Sequence, residues 1–453
     1  MRRGDSWLVA LARDVTERFG GRCVYDRVHM SSRFPQRAWL ARSRGSIVAL
    51  ALTACAAACD APSALRDLAA APATAHEQYA RGLRDAGLAE SALGREWLDA
   101  SDSAMRAPLE IVLPYLESGF YSRSEARAVA YRITLRGGER LALTLRGEGR
   151  PAQLFVDLFE ETRDSPGDSL AHFVHRVTGR SSDIADSSVV RSESTAVAPR
   201  DSVSIAAELS LVYEAERAGT FVLRFQPELL RDGRYRITIR TDPILAFPVR
   251  GGRNRAVQSF FGADRDAGRR VHHGIDIFAA RGTPVVAATD GVVRSISPNT
   301  LGGNVVWLRD ERRGLTLYYA HLDRHAVAAG QVVRTGDVIG FVGNSGNART
   351  TRPHLHFGVY RRGEGPVDPW PWVRLVTADY PRISADTARL GSRGRVTAAA
   401  VALLWAPSTR GGASQQVTRG TAVRVMGAAG AWYRVQLDDG QAGFLPARQV
   451  ATQ

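Results

Sequence analysis

His354-Leu355-His356-Phe357-Gly358-Val359-Tyr360 is the stretch on which the fold of this chain turns. Its apolar members follow the rhythm of a β-strand, in which residues i and i+2 face the same way. His354 and His356 therefore project into one site, while Leu355 faces a core on the opposite side. One ring can bind a metal while its neighbour acts from behind it, and spacing alone does not say which does which.

Upstream stands His272-His273-Gly274-Ile275-Asp276. Gly274 can let the backbone turn sharply, so that His272 and Asp276 close on one ion. Imidazole nitrogen and carboxylate oxygen both suit zinc. With one histidine of the later strand they make two His and one Asp, leaving a fourth position open to water, which points to catalysis rather than to a structural site. Six of the ten histidines lie between His272 and His356. Among them, His321 ends the alternating run from Leu315, expected to pair by hairpin with Asn304–Leu308 through the turn Asp310–Gly314. A lone strand-end histidine is ordinarily structural; in this company His321 is a catalytic candidate.

His272-His273-Gly274-Ile275-Asp276-Ile277, Gly282-Thr283-Pro284-Val285, Asp290-Gly291-Val292-Val293, Tyr319-Ala320-His321-Leu322, Gly336-Asp337-Val338-Ile339-Gly340, Gly343-Asn344-Ser345-Gly346 and His354-Leu355-His356-Phe357 occur in that order. The series resembles the LytM/lysostaphin-type M23 zinc metallopeptidases, enzymes that cut peptidoglycan peptides. The resemblance implies that His272, Asp276 and His356 hold Zn2+. It makes His354 the base that deprotonates a zinc-bound water, and His321 the stabiliser of the oxyanion, sharing in proton transfer. It leaves His273 and His325 as surface residues. Gly282, Gly291, Gly302, Gly303, Gly336 and Gly343 are expected at tight turns of an antiparallel sheet. Asn304, Trp307, Tyr318 and Tyr319 suit either the groove or the core.

The rest of the chain is expected to be mainly β. Residues 1–54 comprise an N-terminal extension and a signal, and 55–108 a helical segment. A β-sandwich-like domain over 109–245 has a binding or spacing role, with a hairpin around Arg136-Gly137-Gly138 and a loose loop over 180–204. His172 and His175, without acidic partners at ligand spacing, are expected on its surface. The metallopeptidase-like domain covers 246–376, followed by a linker over 377–388. Residues 389–453 resemble a separate bacterial SH3-like (SH3b) barrel, a module that often binds wall peptide. Trp405, Trp432 and Tyr433 serve there as core or ligand groove.

All 60 basic residues are arginine, and the formal net charge is +14. Acidic residues are interleaved throughout and no nucleic-acid motif is present, so the charge suits an anionic envelope polymer and excludes a nucleic-acid reading. The cysteines are Cys23, Cys55 and Cys59, which excludes a disulfide framework from the rest of the chain. Arg37, Arg42 and Arg44 precede the apolar run Ser46–Ala54, which is too short to span a bilayer. Leu52-Thr53-Ala54-Cys55 resembles a lipobox, implying a lipid anchor at Cys55; Ala56-Ala57-Ala58-Cys59 fits less well. Translation from Met30 would give this signal an ordinary length.

The expected protein is a membrane-anchored lipoprotein at the periplasmic face of the envelope, cutting peptidoglycan stem or cross-link peptides by attack of zinc-bound hydroxide. The alternatives are a non-enzymatic M23-like scaffold that activates another wall hydrolase, and a secreted bacteriolytic factor.

Overall fold

The computed structural model describes residues 73–148, 152–162, 172–180, 208–265, 267–410 and 412–452. The signal with Cys55 and Cys59, the residues before Met30 and nearly all of the loop expected over 180–204 lie outside them. So do the side chains of His172 and His175, whose strand is described through its backbone alone. No described helix is long and apolar enough to cross a membrane.

Two helices open the described chain, Ala75–Asp85 and Ala92–Arg106. Thr74 and Glu77 form a capping box on the first, and the Ser91 hydroxyl caps the second. Their apolar faces meet around Ala80, Leu83 and Trp97 and close over Phe155 of the next sheet. The Trp97 indole N–H donates to the Pro227 carbonyl at 2.8 Å, pinning the helical pair to that sheet. The helices therefore cover a sheet face, a job that their sequence did not disclose.

Two sheets follow. One has five strands, in the order Leu109–Glu110, Val129–Leu135, Gly219–Pro227, Leu154–Thr162 and His172–Arg180. The other aligns Tyr115–Tyr121, Gly233–Pro243, Glu139–Glu148 and Glu208–Glu214. Alternate residues of both, such as Ile133, Leu135, Leu141 and Leu143, fill one core between them. This corrects the hairpin expected around Arg136-Gly137-Gly138. The strands on either side enter different sheets, with their apolar faces opposed rather than coplanar. Gly138, at φ 92°, lies where any Cβ would strike the Trp372 ring, so the turn is a crossing point packed on the next domain.

The C-terminal strands, expected as a separate unit, have an apolar core of their own and also join the edge of the sandwich. Ala422–Ala429 pairs with Tyr115–Tyr121 through Ser118↔Ala428 and Gly119↔Gly427, making one continuous sheet of eleven strands. The carboxylate of Glu117 is buried at this seam. It accepts from the hydroxyls of Tyr115, Tyr131 and Tyr235 and from the Arg434 guanidinium. Tyr433 belongs to the C-terminal core, whereas Trp405 and Trp432 pack on the sandwich core, and Trp405 also lines an open cavity beside the second helix. The 377–388 stretch has little regular structure and is tied at Ser384 and Ala385 to the Gly430 carbonyl.

Between these parts lies a ten-stranded antiparallel sheet. Its central order is Ile275–Phe278, His354–Arg361, Leu315–His325, Asn304–Asp310 and Gly291–Ser295. The hairpin through Asp310–Gly314 is as expected, and its Arg313 donates to both carboxylate oxygens of Glu214 on the sandwich. Leu355, Phe357 and Val359 point into the apolar core. The other face of the same strands carries the histidines.

Candidate metal centre and groove

Asp276 and His356 are directly opposed on neighbouring antiparallel strands, and Ala320 opposes His356 on the other side. His272 enters from the loop before Ile275. The chain bends at Gly274 as expected, though without a positive φ. A Cβ on it would lie 2.6 Å from His356 Cε1 and 2.6 Å from the Phe357 carbonyl, so glycine is required for close approach. Gly291, Gly302 and Gly343 are likewise close-approach positions, whereas Gly282, Gly303 and Gly336 have the positive φ expected of turns.

Three donor atoms converge. His272 Nε2 lies 3.0 Å from Asp276 Oδ1 and 3.0 Å from His356 Nδ1, and His356 Nδ1 lies 3.1 Å from the same Oδ1. Bonds of the usual zinc length to three corners of a tetrahedron would put those corners about 3.3 Å apart, so the donor set fits such an ion. His272 Nδ1 donates to the Phe260 carbonyl at 2.9 Å, which leaves Nε2 bare for the centre. Burial raises the Asp276 carboxyl, but the close approach of the His272 and His356 ring nitrogens outweighs it and holds the group well below the usual carboxylate range. Burial lowers His356, keeping it neutral and able to bind a metal.

His354 and His321 stand beside this triangle. His354 is held by its backbone bond to Gly343 and by Nδ1, which donates to the Arg352 carbonyl at 2.9 Å. Its ring stacks on Phe278, and its bare Nε2 lies 4.0 Å from Asp276 Oδ1. His321 is not a strand end. Its strand runs on to His325, and a bulge sets Ala320 and His321 against Val305 alone, between the pairs Tyr319↔Val306 and Leu322↔Asn304. The bulge puts His321 at φ 63°, rare for a residue with a side chain, and turns its ring into the groove. Its N–H donates to Gly302 and its Nδ1 to the Ser345 carbonyl at 3.0 Å, leaving Nε2 bare. Burial, reinforced by His354 and His356, lowers its pKa to about 4. The His321 and His354 rings meet edge to face at 5.0 Å.

All five candidate residues therefore share one site. His273 is exposed, as expected; His325 is half-buried, with Nε2 enclosed and without a partner among the described residues. Tyr319 is core and Asn304 clasps the bulge by donating to Leu322 and Asp323, whereas Trp307 and Tyr318 line the groove. Sequence reasoning missed Ser259, Arg265, Phe278, Asn299 and Tyr360, which also line it; Phe278, two residues after Asp276, and Tyr360, four after His356, had a signal in the strand period. The groove encloses about 660 Å³ and is lined wholly by residues between Ser259 and Tyr360, with no described residue of the sandwich over it.

The sequence matches the profile of Peptidase family M23 over residues 270–369, the span that carries every one of these five side chains. This segment is an M23 peptidase domain. Among curated proteins the chain is similar to the L-Ala--D-Glu endopeptidase of Bacillus subtilis, 39% identical over 140 residues, covering 28% of this chain and 43% of that protein. It is also similar to the DD-carboxypeptidase/endopeptidase Mpg of Neisseria meningitidis, 45% identical over 121 residues, covering 26% of this chain and 27% of that one. The match thus spans less than half of either relative's length. Among solved structures, the catalytic domain of lysostaphin from Staphylococcus simulans is 30% identical, with a TM-score of 0.24, covering 25% of this chain and 89% of that domain.

Proposed function

We propose that the M23 domain is a zinc-dependent endopeptidase that hydrolyses peptide bonds in the stem or cross-link peptides of peptidoglycan. The observation that carries this reading is the triangle of His272 Nε2, Asp276 Oδ1 and His356 Nδ1 with the bare Nε2 of His354 beside it. The substrate class is supported by the named activities of the Bacillus and Neisseria relatives. When bound, the ion supplies a Lewis acid that acidifies water and polarises the scissile carbonyl.

The chain's own residues do the rest. His354 Nε2 accepts a proton from the attacking water, while the Arg352 carbonyl keeps its Nδ1 protonated and its ring aimed. His321 also begins with a bare Nε2, so it accepts before it can donate. It takes the second proton of the attacking water from the tetrahedral intermediate, then faces the oxygen left behind with that N–H and passes the proton to the leaving amine. The open groove gives an extended peptide room to lie across both rings.

The sequence from Arg37 to Cys55 supports an envelope lipoprotein anchored through Cys55, and that of 389–453 an SH3-like wall-binding module. Digestion of purified peptidoglycan tests the enzyme: wild-type protein releases new amino termini, and the His354→Ala variant does not. Wild-type protein that carries one zinc yet releases none would refute it. Mass spectrometry of the native N-terminus tests the anchor, since an unacylated Cys55 would favour a released protein.

A further inference from the structure

The hairpin formed by Asp264–Arg265 and Arg270–Val271 immediately precedes His272 and folds Arg265 back over the metal-site residues. One guanidinium nitrogen, Nη2, donates to Asp276 Oδ2 at 2.8 Å and to the Ser259 hydroxyl at 2.6 Å. Ser259 Oγ in turn lies 3.3 Å from His272 Nδ1, and Ser259 pairs with Asp276 across the strands. Arg265 thus touches one candidate ligand directly and a second through a hydroxyl. The two oxygens of Asp276 are divided, Oδ1 facing the histidine nitrogens and Oδ2 engaged by a cation.

That division has a chemical consequence. A carboxylate on zinc can give one oxygen or two, and a second oxygen added to three protein donors and a water would raise the ion from four donors to five. A charge-assisted hydrogen bond to Oδ2 competes directly with the metal for that oxygen. We propose that Arg265 is a positioning residue that keeps Asp276 a one-oxygen ligand and so holds the ion at four donors, three from the protein and one from water. This inference rests on the zinc reading of the site. It assigns Arg265 no contact with the reacting atoms.

Cobalt substitution reads the number of donors without any need for turnover, because four-coordinate cobalt(II) absorbs several-fold more strongly in the visible than five-coordinate cobalt(II). The full chain and two variants, Arg265→Met and Arg265→Gln, are each loaded with cobalt and compared. The expected result is one cobalt per chain in all three. The visible band falls several-fold in Arg265→Met as Oδ2 joins the ion, and stays near wild type in Arg265→Gln, whose amide N–H can still occupy Oδ2. An unchanged band in Arg265→Met overturns the inference. Loss of cobalt from Arg265→Met also overturns it, because Arg265 would then build the site rather than set its donor count. A glutamine variant that behaves like the methionine variant removes the hydrogen bond as the cause. Wild-type protein that binds neither zinc nor cobalt overturns the metal reading and this inference together, which separates the two failures.

Discussion

Asp276 and His356 face each other on adjacent strands with Oδ1 and Nδ1 only 3.1 Å apart, and His354, two residues from His356, reaches no closer than 4.0 Å to the same oxygen. The histidine pair is thereby divided by geometry: one ring is within the donor triangle and the other is beside it. His356→Ala and Asp276→Asn are expected to lose most bound zinc, while His354→Ala keeps about one zinc per chain. The His354→Ala variant should still lose roughly 10²- to 10⁴-fold in rate, the range for removing a general base. Metal analysis alongside peptidoglycan digestion checks both. Zinc lost equally from all three variants would contradict the division.

His321 sits at φ 63°, where a residue with a Cβ is disfavoured by roughly 1–2 kcal/mol and glycine is not. His321→Ala and His321→Gly both remove the imidazole and its bond to Ser345. The glycine variant is expected to be the more stable of the two by about 1 kcal/mol, the reverse of the usual order at an unstrained site. Urea unfolding compares them directly. A lower midpoint for the glycine variant would show that no strain is held there.

The legible parts of the site were those with short-range periodicity. The i, i+2 spacing of His354 and His356 set their common face, and the ordered motifs gathered His272, Asp276 and His321 around them. The bulge at His321 left no mark, because a left-handed histidine is spelled like any other. Arg265 reaches Asp276 from a hairpin whose pairing depends on tertiary packing. Arg136-Gly137-Gly138 announced a turn but not which sheet each strand would join. The same limit applies to the seam at Ser118↔Ala428, since an edge-to-edge pairing between distant segments has no local signature. Its one trace was a charge on either side of it, Glu117 in the sandwich strand and Arg434 in the strand next to Ala422–Ala429.

The helical pair is expected to make the protein acid-sensitive. His76 stacks on Trp97 at 4.6 Å and its Nε2 lies 2.6 Å from Gln226 Oε1. Burial, and after it the charge of Arg224, lowers its pKa from 6.5 to about 4. The unfolded chain therefore binds this proton more tightly than the folded one. The contribution to stability is complete above pH 6.5 and is lost progressively as pH falls through the window down to about 4, by up to about 3 kcal/mol. Thermal melts across that window should fall more steeply for wild type than for His76→Gln. Parallel curves would rule His76 out as the source.

Glu117 and Arg434 make a prediction about cooperativity. Their ion pair is buried between the sandwich strand Tyr115–Tyr121 and the C-terminal strand Trp432–Leu437, and Gly427 lies where a Cβ would be 2.7 Å from Glu117 Oε1. Three tyrosine hydroxyls satisfy the carboxylate, so removing the guanidinium leaves a charge in the interior with only neutral donors. Breaking such a pair from one side costs about 3–5 kcal/mol. Arg434→Met is expected to lose that much, whereas Arg434→Met combined with Glu117→Gln recovers part of it by removing the stranded charge. Because the sheet is continuous across the seam, sandwich and C-terminal strands should melt as one transition in wild type and separate in Arg434→Met. Calorimetry resolves this: two transitions in the wild type, or a double variant no more stable than Arg434→Met, would mean that the seam does not couple them.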